Sequence, residues 1–444
     1  MSKLRLFNIV TLAAAVLATP FAARSQTNDP VVTGRRFVAL MAAEDFHSAF
    51  TLFSARLKTA LPETDLRKSW DDVLDQVGGF KQPLSAESHD GTLCLTCQFA
   101  RGKREIKLSF NSHGEIKSVF YAEPDLTPIS FSVPPYANTN AFLEQDFTVV
   151  CDKWSLPGTL TLPSGAGPCP AVVLVHGSGP QDRDEHIGAA RPFRDLAWGL
   201  ATKGIAVLRY DKRTKVYGAN AFTNVARFTV QEETIDDAVA AATHLRRSPH
   251  VNPKRVFIVG HSLGGTVAPR IGQRDPQLAG LIILAGSTRR YEDLILEQNE
   301  YLLSLDGPMS ARDKTQLVSV QALATKIKNL TAADVTSPMT ALGCPASYWL
   351  DLESYDPVAT AGKLRQPILI VQGERDYQVK TADFNGWKKG LTEKTNVTFR
   401  LYPDLNHLFM PGKAKSTPME YGEPGHVDET TVPDIVAWID KLKL

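Results

Sequence analysis

From about residue 147 onward the chain alternates short, wholly apolar runs with amphipathic segments, and this pattern constrains its fold more than any other feature. Ala171-Val-Val-Leu-Val175, Ile205-Ala-Val-Leu208, Arg255-Val-Phe-Ile-Val259, Leu281-Ile-Ile-Leu284 and Pro367-Ile-Leu-Ile-Val371 lack the regular polar positions of a strand with one wet face. Such runs suit strands buried on both sides, which occur where helices cover both faces of a parallel sheet. Helical periodicity fills the gaps: 193–202, then 231–247 with Ile235, Ala238, Val239, Ala242 and Leu245 on one face, and a last helix at 432–442. Thr159-Leu-Thr-Leu162 and Val397-Thr-Phe-Arg-Leu401 complete the set of strands. The pattern predicts an α/β fold with a mostly parallel central sheet and helices on both faces. One stretch, about 291–364, interrupts the order; it is helical and polar, broken by Pro308, Pro338, Pro345 and Pro357. An insertion this long between two strands is expected to lie over the strand ends as a helical cap.

The chain has 444 residues, more than one typical domain holds, and its first part reads differently. Phe37, Leu40 and Met41, then Phe46, Phe50 and Phe53, then Leu66, Trp70, Val73, Leu74 and Val77 recur at helical spacing. Thr92-Leu-Cys-Leu-Thr-Cys-Gln-Phe99, Ile106-Lys-Leu-Ser-Phe110 and Ile116-Lys-Ser-Val-Phe-Tyr121 alternate as strands do. Residues 30–122 are therefore expected to form a small α+β domain, 123–144 a Pro-rich linker, and 145–444 the α/β unit. Ahead of them, Lys3 and Arg5 precede a mostly apolar run to about Ala18, and Ala23-Arg-Ser25 offers small residues where a signal peptidase reads. The spacing predicts a signal peptide over 1–25 cut before Gln26, hence an exported protein, periplasmic or extracellular, without a stable membrane anchor. A net charge of +1 gives no electrostatic reason to bind nucleic acid. Five cysteines cannot all pair within one chain. Cys94 and Cys97 lie three apart on a strand, so they face opposite sides and are expected as buried small apolar residues, not as a bridge or a zinc site.

Chemistry concentrates after the Arg255–Val259 run. Gly260-His-Ser-Leu-Gly264 follows it directly, and a helix-like segment, Gly265-Thr-Val-Ala-Pro-Arg-Ile-Gly272, comes next. Strand, sharp turn and helix are the context of a nucleophile elbow, and they make Ser262 the expected nucleophile. A serine hydroxyl needs a base, and the base an orienting acid. Asp376, in Gly373-Glu-Arg-Asp376, and His407, in Asn406-His407, each follow a strand and stand in the order this fold requires. His426 lies in a Gly/Pro-rich loop with no strand before it, and Glu374 is the alternative acid; both are weaker candidates. Asp211 reads as half of a structural ion pair, and the His261 ring should point away from the proton to be moved. The oxyanion hole is expected from the backbone N–H of Leu263 and from the loop His176-Gly-Ser-Gly-Pro180, with the donor on Ser178 or, next to it, Gly179. His176 itself is expected to be structural.

These blocks together with His176-Gly-Ser-Gly-Pro-Gln-Asp-Arg-Asp184 and Arg209-Tyr-Asp-Lys-Arg213 resemble the EstD-type bacterial esterases of the α/β-hydrolase superfamily, over roughly 145–444. That resemblance implies an α/β-hydrolase fold, carboxylesterase activity on short acyl esters, a Ser-Asp-His triad, a small-molecule ester as partner, and no metal or cofactor. The N-terminal part resembles the small cone-shaped nuclear-transport-factor-like or cystatin-like α+β domains. The expectation is thus an exported carboxylesterase working through an acyl-serine intermediate. A serine peptidase or aminopeptidase of the same fold is the first alternative, although no β-propeller pattern precedes the catalytic part. A non-catalytic binding protein with a vestigial hydrolase fold is the second. The oligomeric state is left open.

Overall fold

The computed structural model describes residues 29–442 apart from 90–91, 100–101, 123–130, 166, 223, 306–308, 310 and 338–339. The expected signal peptide lies outside the described residues. The chain divides into two compact units, the second beginning at Phe131.

The first unit opens with helices α1 (Pro30–Ala42), α2 (Phe46–Thr51), α3 (Ala55–Ala60) and α4 (Glu63–Val77). Strands β1 (Phe80–His89), β2 (Thr92–Phe99), β3 (Gly102–Phe110) and β4 (Ile116–Ala122) follow as an antiparallel sheet in sequential order. On β2 the inward side carries Leu93, Leu95, Cys97 and Phe99, which meet Phe37, Phe46 and Trp70 from the helices in one core. Cys97 fills that core, whereas Cys94 sits half-buried on the other face, so the expectation of burial fails for Cys94. All five cysteines are free.

The second unit is built on an eight-stranded sheet. Its elements are β5 (Phe142–Cys151), β6 (Trp154–Pro163), β7 (Cys169–Val175), α5 (Pro192–Thr202), β8 (Ala206–Tyr210), α6 (Arg213–Tyr217), a π-helical turn (Gln231–Ile235), α7 (Asp236–Arg246), β9 (Val251–His261), α8 (Leu263–Arg274) and β10 (Gly280–Leu284). The cap follows as α9 (Tyr291–Ser304), α10 (Ala311–Lys328), the small pair β11 (Thr340–Ala341) and β12 (Cys344–Pro345), α11 (Ala346–Glu353) and α12 (Pro357–Gly362). β13 (Ile368–Gly373), α13 (Thr381–Gly390), β14 (Val397–Tyr402) and α14 (Thr431–Lys441) close the unit. The sheet order is β14-β13-β10-β9-β7-β8-β6-β5; the strands from β14 to β8 run parallel, and β6 and β5 are antiparallel additions.

The two-sided burial read from the apolar runs is visible residue by residue. Ala171, Val173 and Val175 of β7 enter one core with Ala238, Leu245 and Ile271, while Val172 and Leu174 enter the opposite core with Phe193, Leu200 and Ile435. Each fully buried Val, Leu or Ile contributes roughly 1.5–3 kcal/mol relative to an exposed one, so both helical layers are tightly bound to the sheet. The linker expected over 123–144 is shorter at its C-terminal end. Phe131 already packs edge-on against Trp198, Tyr136 joins the core beneath α5 and α14, and β5 starts at Phe142. Among the described residues no helix is long and apolar enough to cross a membrane.

Candidate active site

β9 delivers Ser262 to the carboxyl edge of the sheet, where open α/β sheets place their sites. Ser262 adopts φ 53° and ψ −114°, a conformation that residues with a Cβ rarely take and that costs about 1–3 kcal/mol. Its N–H is held by the Leu284 carbonyl at 2.9 Å. The turn closes only because its flanks are bare: a Cβ on Gly260 would strike the Gly264 carbonyl, and one on Gly264 the Val175 carbonyl. α8 begins immediately at Leu263, which is fully buried, so its first-turn N–H groups point toward the serine.

Asp376 and His407, each carried on the loop after its strand, come together: His407 Nδ1 donates to Asp376 Oδ2 at 2.7 Å, and both residues are buried. Asp376 is itself fixed, since Oδ1 accepts the Gln378 and Val379 N–H groups at 2.7 and 2.9 Å and Oδ2 accepts Gln372 Nε2 at 3.1 Å. With the Nδ1 proton committed to Asp376, Nε2 is the nitrogen left to accept one. His407 stands against the elbow, because the ring of His261, next to Ser262 in the chain, lies 4.6 Å from the His407 ring and donates from Nε2 to the His407 carbonyl at 2.9 Å. The competing candidates are placed elsewhere. His426 is held by Asp195 and Ser132, and Glu374 is exposed. Asp211 binds Arg183 through both carboxylate oxygens, as the ion-pair reading expects.

The loop after β7 reaches Ser262 through Gly177, whose Cβ position would lie 3.1 Å from Ser262 Cβ and 3.6 Å from its Oγ. The Gly177 N–H is taken by Glu185 Oε1 at 2.6 Å, and Ser178 and Gly179, next along the loop, are exposed. Ser178 Oγ shares a hydrogen bond of 3.2 Å with the hydroxyl of Tyr291, the first residue of the cap. Gly179 has φ 86°. His176 packs between Phe193 and Tyr210 with Nε2 unpartnered; burial first, and Lys212 with it, lower its pKa to about 4 and keep it neutral.

Several residues of the site take roles that the reading of the sequence does not assign them. Glu185 and His261 form a buried pair, Oε2 to Nδ1 at 2.8 Å, a contact of charge more than of an aligned hydrogen bond. Burial works against the charged imidazole, yet Glu185, the His407 carbonyl and Asp376 outweigh it and raise the His261 pKa. Burial likewise opposes the Glu185 carboxylate, but His261, His176 and the Gly177 N–H hold its pKa below the usual range. Lys212, wholly buried, donates to the Gly177 carbonyl at 2.9 Å and pairs with Glu233 at 3.0 Å; Glu233 in turn accepts the Tyr348 hydroxyl at 2.8 Å. Glu185 and Lys212 lie in or beside sequence blocks already singled out, Gln181–Asp184 and Arg209–Arg213, but for Tyr291 nothing in the sequence gives notice.

The chain is similar to several known proteins. Residues 166–412 match the family described as serine aminopeptidase, S33, and residues 35–119 a family described as a protein of unknown function. The chain belongs to this S33 family of α/β-hydrolases. It is 36% identical over 411 residues to the esterase EstD of Thermotoga maritima, an alignment covering 91% of this chain and 94% of that protein, so the likeness extends into the first unit. A dipeptidyl aminopeptidase BIII of Pseudoxanthomonas mexicana is 28% identical over 269 residues, 58% of this chain and 34% of that protein. An esterase of Pyrococcus furiosus superposes with a TM-score of 0.44 at 16% identity, over 70% of this chain and 98% of that one.

Proposed function

We propose that the protein is a carboxylesterase that cleaves short acyl esters through an acyl-Ser262 intermediate, and that it acts after export. The observation that carries this reading is the buried His407–Asp376 pair, 2.7 Å apart, standing beside a strained Ser262 at the end of a parallel strand. Ser262 Oγ attacks the ester carbonyl carbon as His407 Nε2 takes its proton, and the carbonyl π pair moves onto oxygen. Asp376 holds the tautomer and stabilises the imidazolium without accepting the proton. The oxyanion is met by the Leu263 and Ser178 N–H groups, each worth about 2.7–4 kcal/mol where such donors have been removed. Collapse expels the alkoxide, which receives the proton from His407; water then repeats the sequence on the acyl-enzyme. Export rests on the basic residues and apolar run of 1–25.

The family's description and one relative favour an aminopeptidase instead. Holding a substrate's α-ammonium needs a carboxylate not already neutralised. Two buried carboxylates tied to the Gly177 loop, Glu185 directly and Glu233 through Lys212, are already paired with His261 and Lys212, which supports a neutral ester. Turnover of p-nitrophenyl acetate and butyrate, measured beside aminoacyl p-nitroanilides, tests this. Ester cleavage that disappears in Ser262→Ala, together with loss of fluorophosphonate labelling, is the expected result. Efficient anilide cleavage without ester turnover would overturn it, and an unreactive wild type would leave the vestigial binding protein as the better reading.

A further inference from the structure

Tyr291 opens the cap, and its hydroxyl meets the Ser178 side chain of the loop against Ser262. It is well placed to stay there. The 287–289 segment that launches it is clamped by Asp383, fully buried, which accepts from Ser287 Oγ at 3.0 Å, Thr288 N at 2.9 Å and Arg289 Nη2 at 2.8 Å. Ser287 N–H also donates to Thr266 Oγ1, on the first turn of α8, at 2.8 Å. The cap's first residue is therefore tied to the same helix that carries the nucleophile at its N-terminus. The hydroxyl lies 3.2 Å from Ser178 Oγ, on the loop whose Gly177 packs against Ser262.

We propose that the Tyr291 hydroxyl is a third donor to the oxyanion, supplied by the cap alongside the backbone groups of Leu263 and Ser178. The inference rests on Ser262 being the acyl acceptor. In the resting site the hydroxyl is occupied by Ser178 Oγ. When Ser262 Oγ bonds to the carbonyl carbon and its proton passes to His407, negative charge appears on the carbonyl oxygen beside the Gly177–Ser178 loop. Ser178 Oγ–H then donates to Tyr291 Oη, and Tyr291 Oη–H donates to the oxyanion; no proton leaves Tyr291, and the bond is released when the carbonyl re-forms. Burial raises the Tyr291 pKa above its usual value, so the group remains a neutral donor across the working range. A donor satisfied by a neighbour before reaction, and strengthened only as charge develops, lowers the barrier without tightening substrate binding.

The test is Tyr291→Phe, which removes one oxygen and keeps the ring in its packing. The expected outcome is a fall in kcat on the order of 100-fold with KM nearly unchanged, on p-nitrophenyl butyrate and ethyl butyrate alike, at an unchanged thermal midpoint. Affinity for a trifluoromethyl ketone, whose adduct carries the oxyanion, should drop in parallel. A kcat within about twofold of wild type would overturn the inference while leaving the Ser262 reading intact, provided Ser262→Ala is inactive. A loss confined to the alkyl ester would place the hydroxyl at the leaving group and equally overturn it. Absence of ester turnover in the wild type would bring down both readings together.

Discussion

Glu185 is a carboxylate with almost no solvent, reached by a backbone that itself takes φ 51°, and such a residue persists only if its partners offset the cost of burying it. Its partners are the Gly177 N–H and the His261 imidazole, so one side chain ties the loop after β7 to the elbow, and through the His407 carbonyl to the base. The linkage has a definite sign. The lowered Glu185 pKa contributes stability that is present above about 4.5, its unfolded value, and is lost as pH falls through the folded value. The raised His261 pKa contributes stability that is complete below about 6.5 and is lost as pH rises through its folded value. Glu185→Gln is therefore expected to cost the most near pH 5–6, about 3 kcal/mol or more for a broken buried pair, and less at alkaline pH. Urea unfolding from pH 5 to pH 9 measures this; a cost independent of pH would show that the pair is not ionised. In the same variant the His261 resonances should titrate at lower pH than in the wild type.

At the scale of elements, the end of β8 and the π-helical turn before α7 act as one bracket. Lys212 leaves the strand end and holds the Gly177 carbonyl, while the extra residue of the π turn helps bring Glu233 inward to meet it. Lys212→Met strands Glu233 and frees the loop, so both stability and turnover should fall, stability by about 3–5 kcal/mol. Adding Glu233→Gln removes the stranded charge and keeps an acceptor for Tyr348; it should restore much of the stability but not kcat, because the Gly177 carbonyl still lacks its donor. Equal recovery of both quantities would reduce the bracket to a purely stabilising role. None of this was legible as a pattern. The apolar runs of β7, β9, β10 and β13 announce themselves because burial on both faces leaves them no polar positions. The pairing of Asp376 with His407 is foreshadowed because the fold fixes their order. β5 carries no such signal because Glu144, Gln145 and Asp146 break any apolar run on this edge strand, and the π turn none because its Ile235 continues the helical periodicity of α7. Phe131 and Tyr136 read as linker because prolines and polar residues surround them. Tyr291 and Glu233 depend on contacts across more than a hundred residues, which no local spacing encodes.

Across the whole molecule, the two units have separate cores. Phe37, Trp70, Leu95 and Ile106 lie in one cluster, and no residue of that cluster belongs to the cores flanking the eight-stranded sheet. Every residue proposed for catalysis, including Tyr291 from the cap, lies after Phe131, where the second unit begins. A unit with its own buried core and its own sheet folds on its own side-chain contacts, although the first is small enough for its stability to be marginal. Chain 131–444 is thus expected to fold alone and to retain most of the kcat of the full chain on p-nitrophenyl butyrate. Calorimetry of the full chain should resolve two transitions, with the smaller lost in the fragment. If the fragment folded with its thermal transition intact but its kcat collapsed, the first unit would have to supply something to the chemistry itself. A raised KM at constant kcat would instead assign it to substrate capture, since uniform binding alters KM without touching the barrier from the bound state.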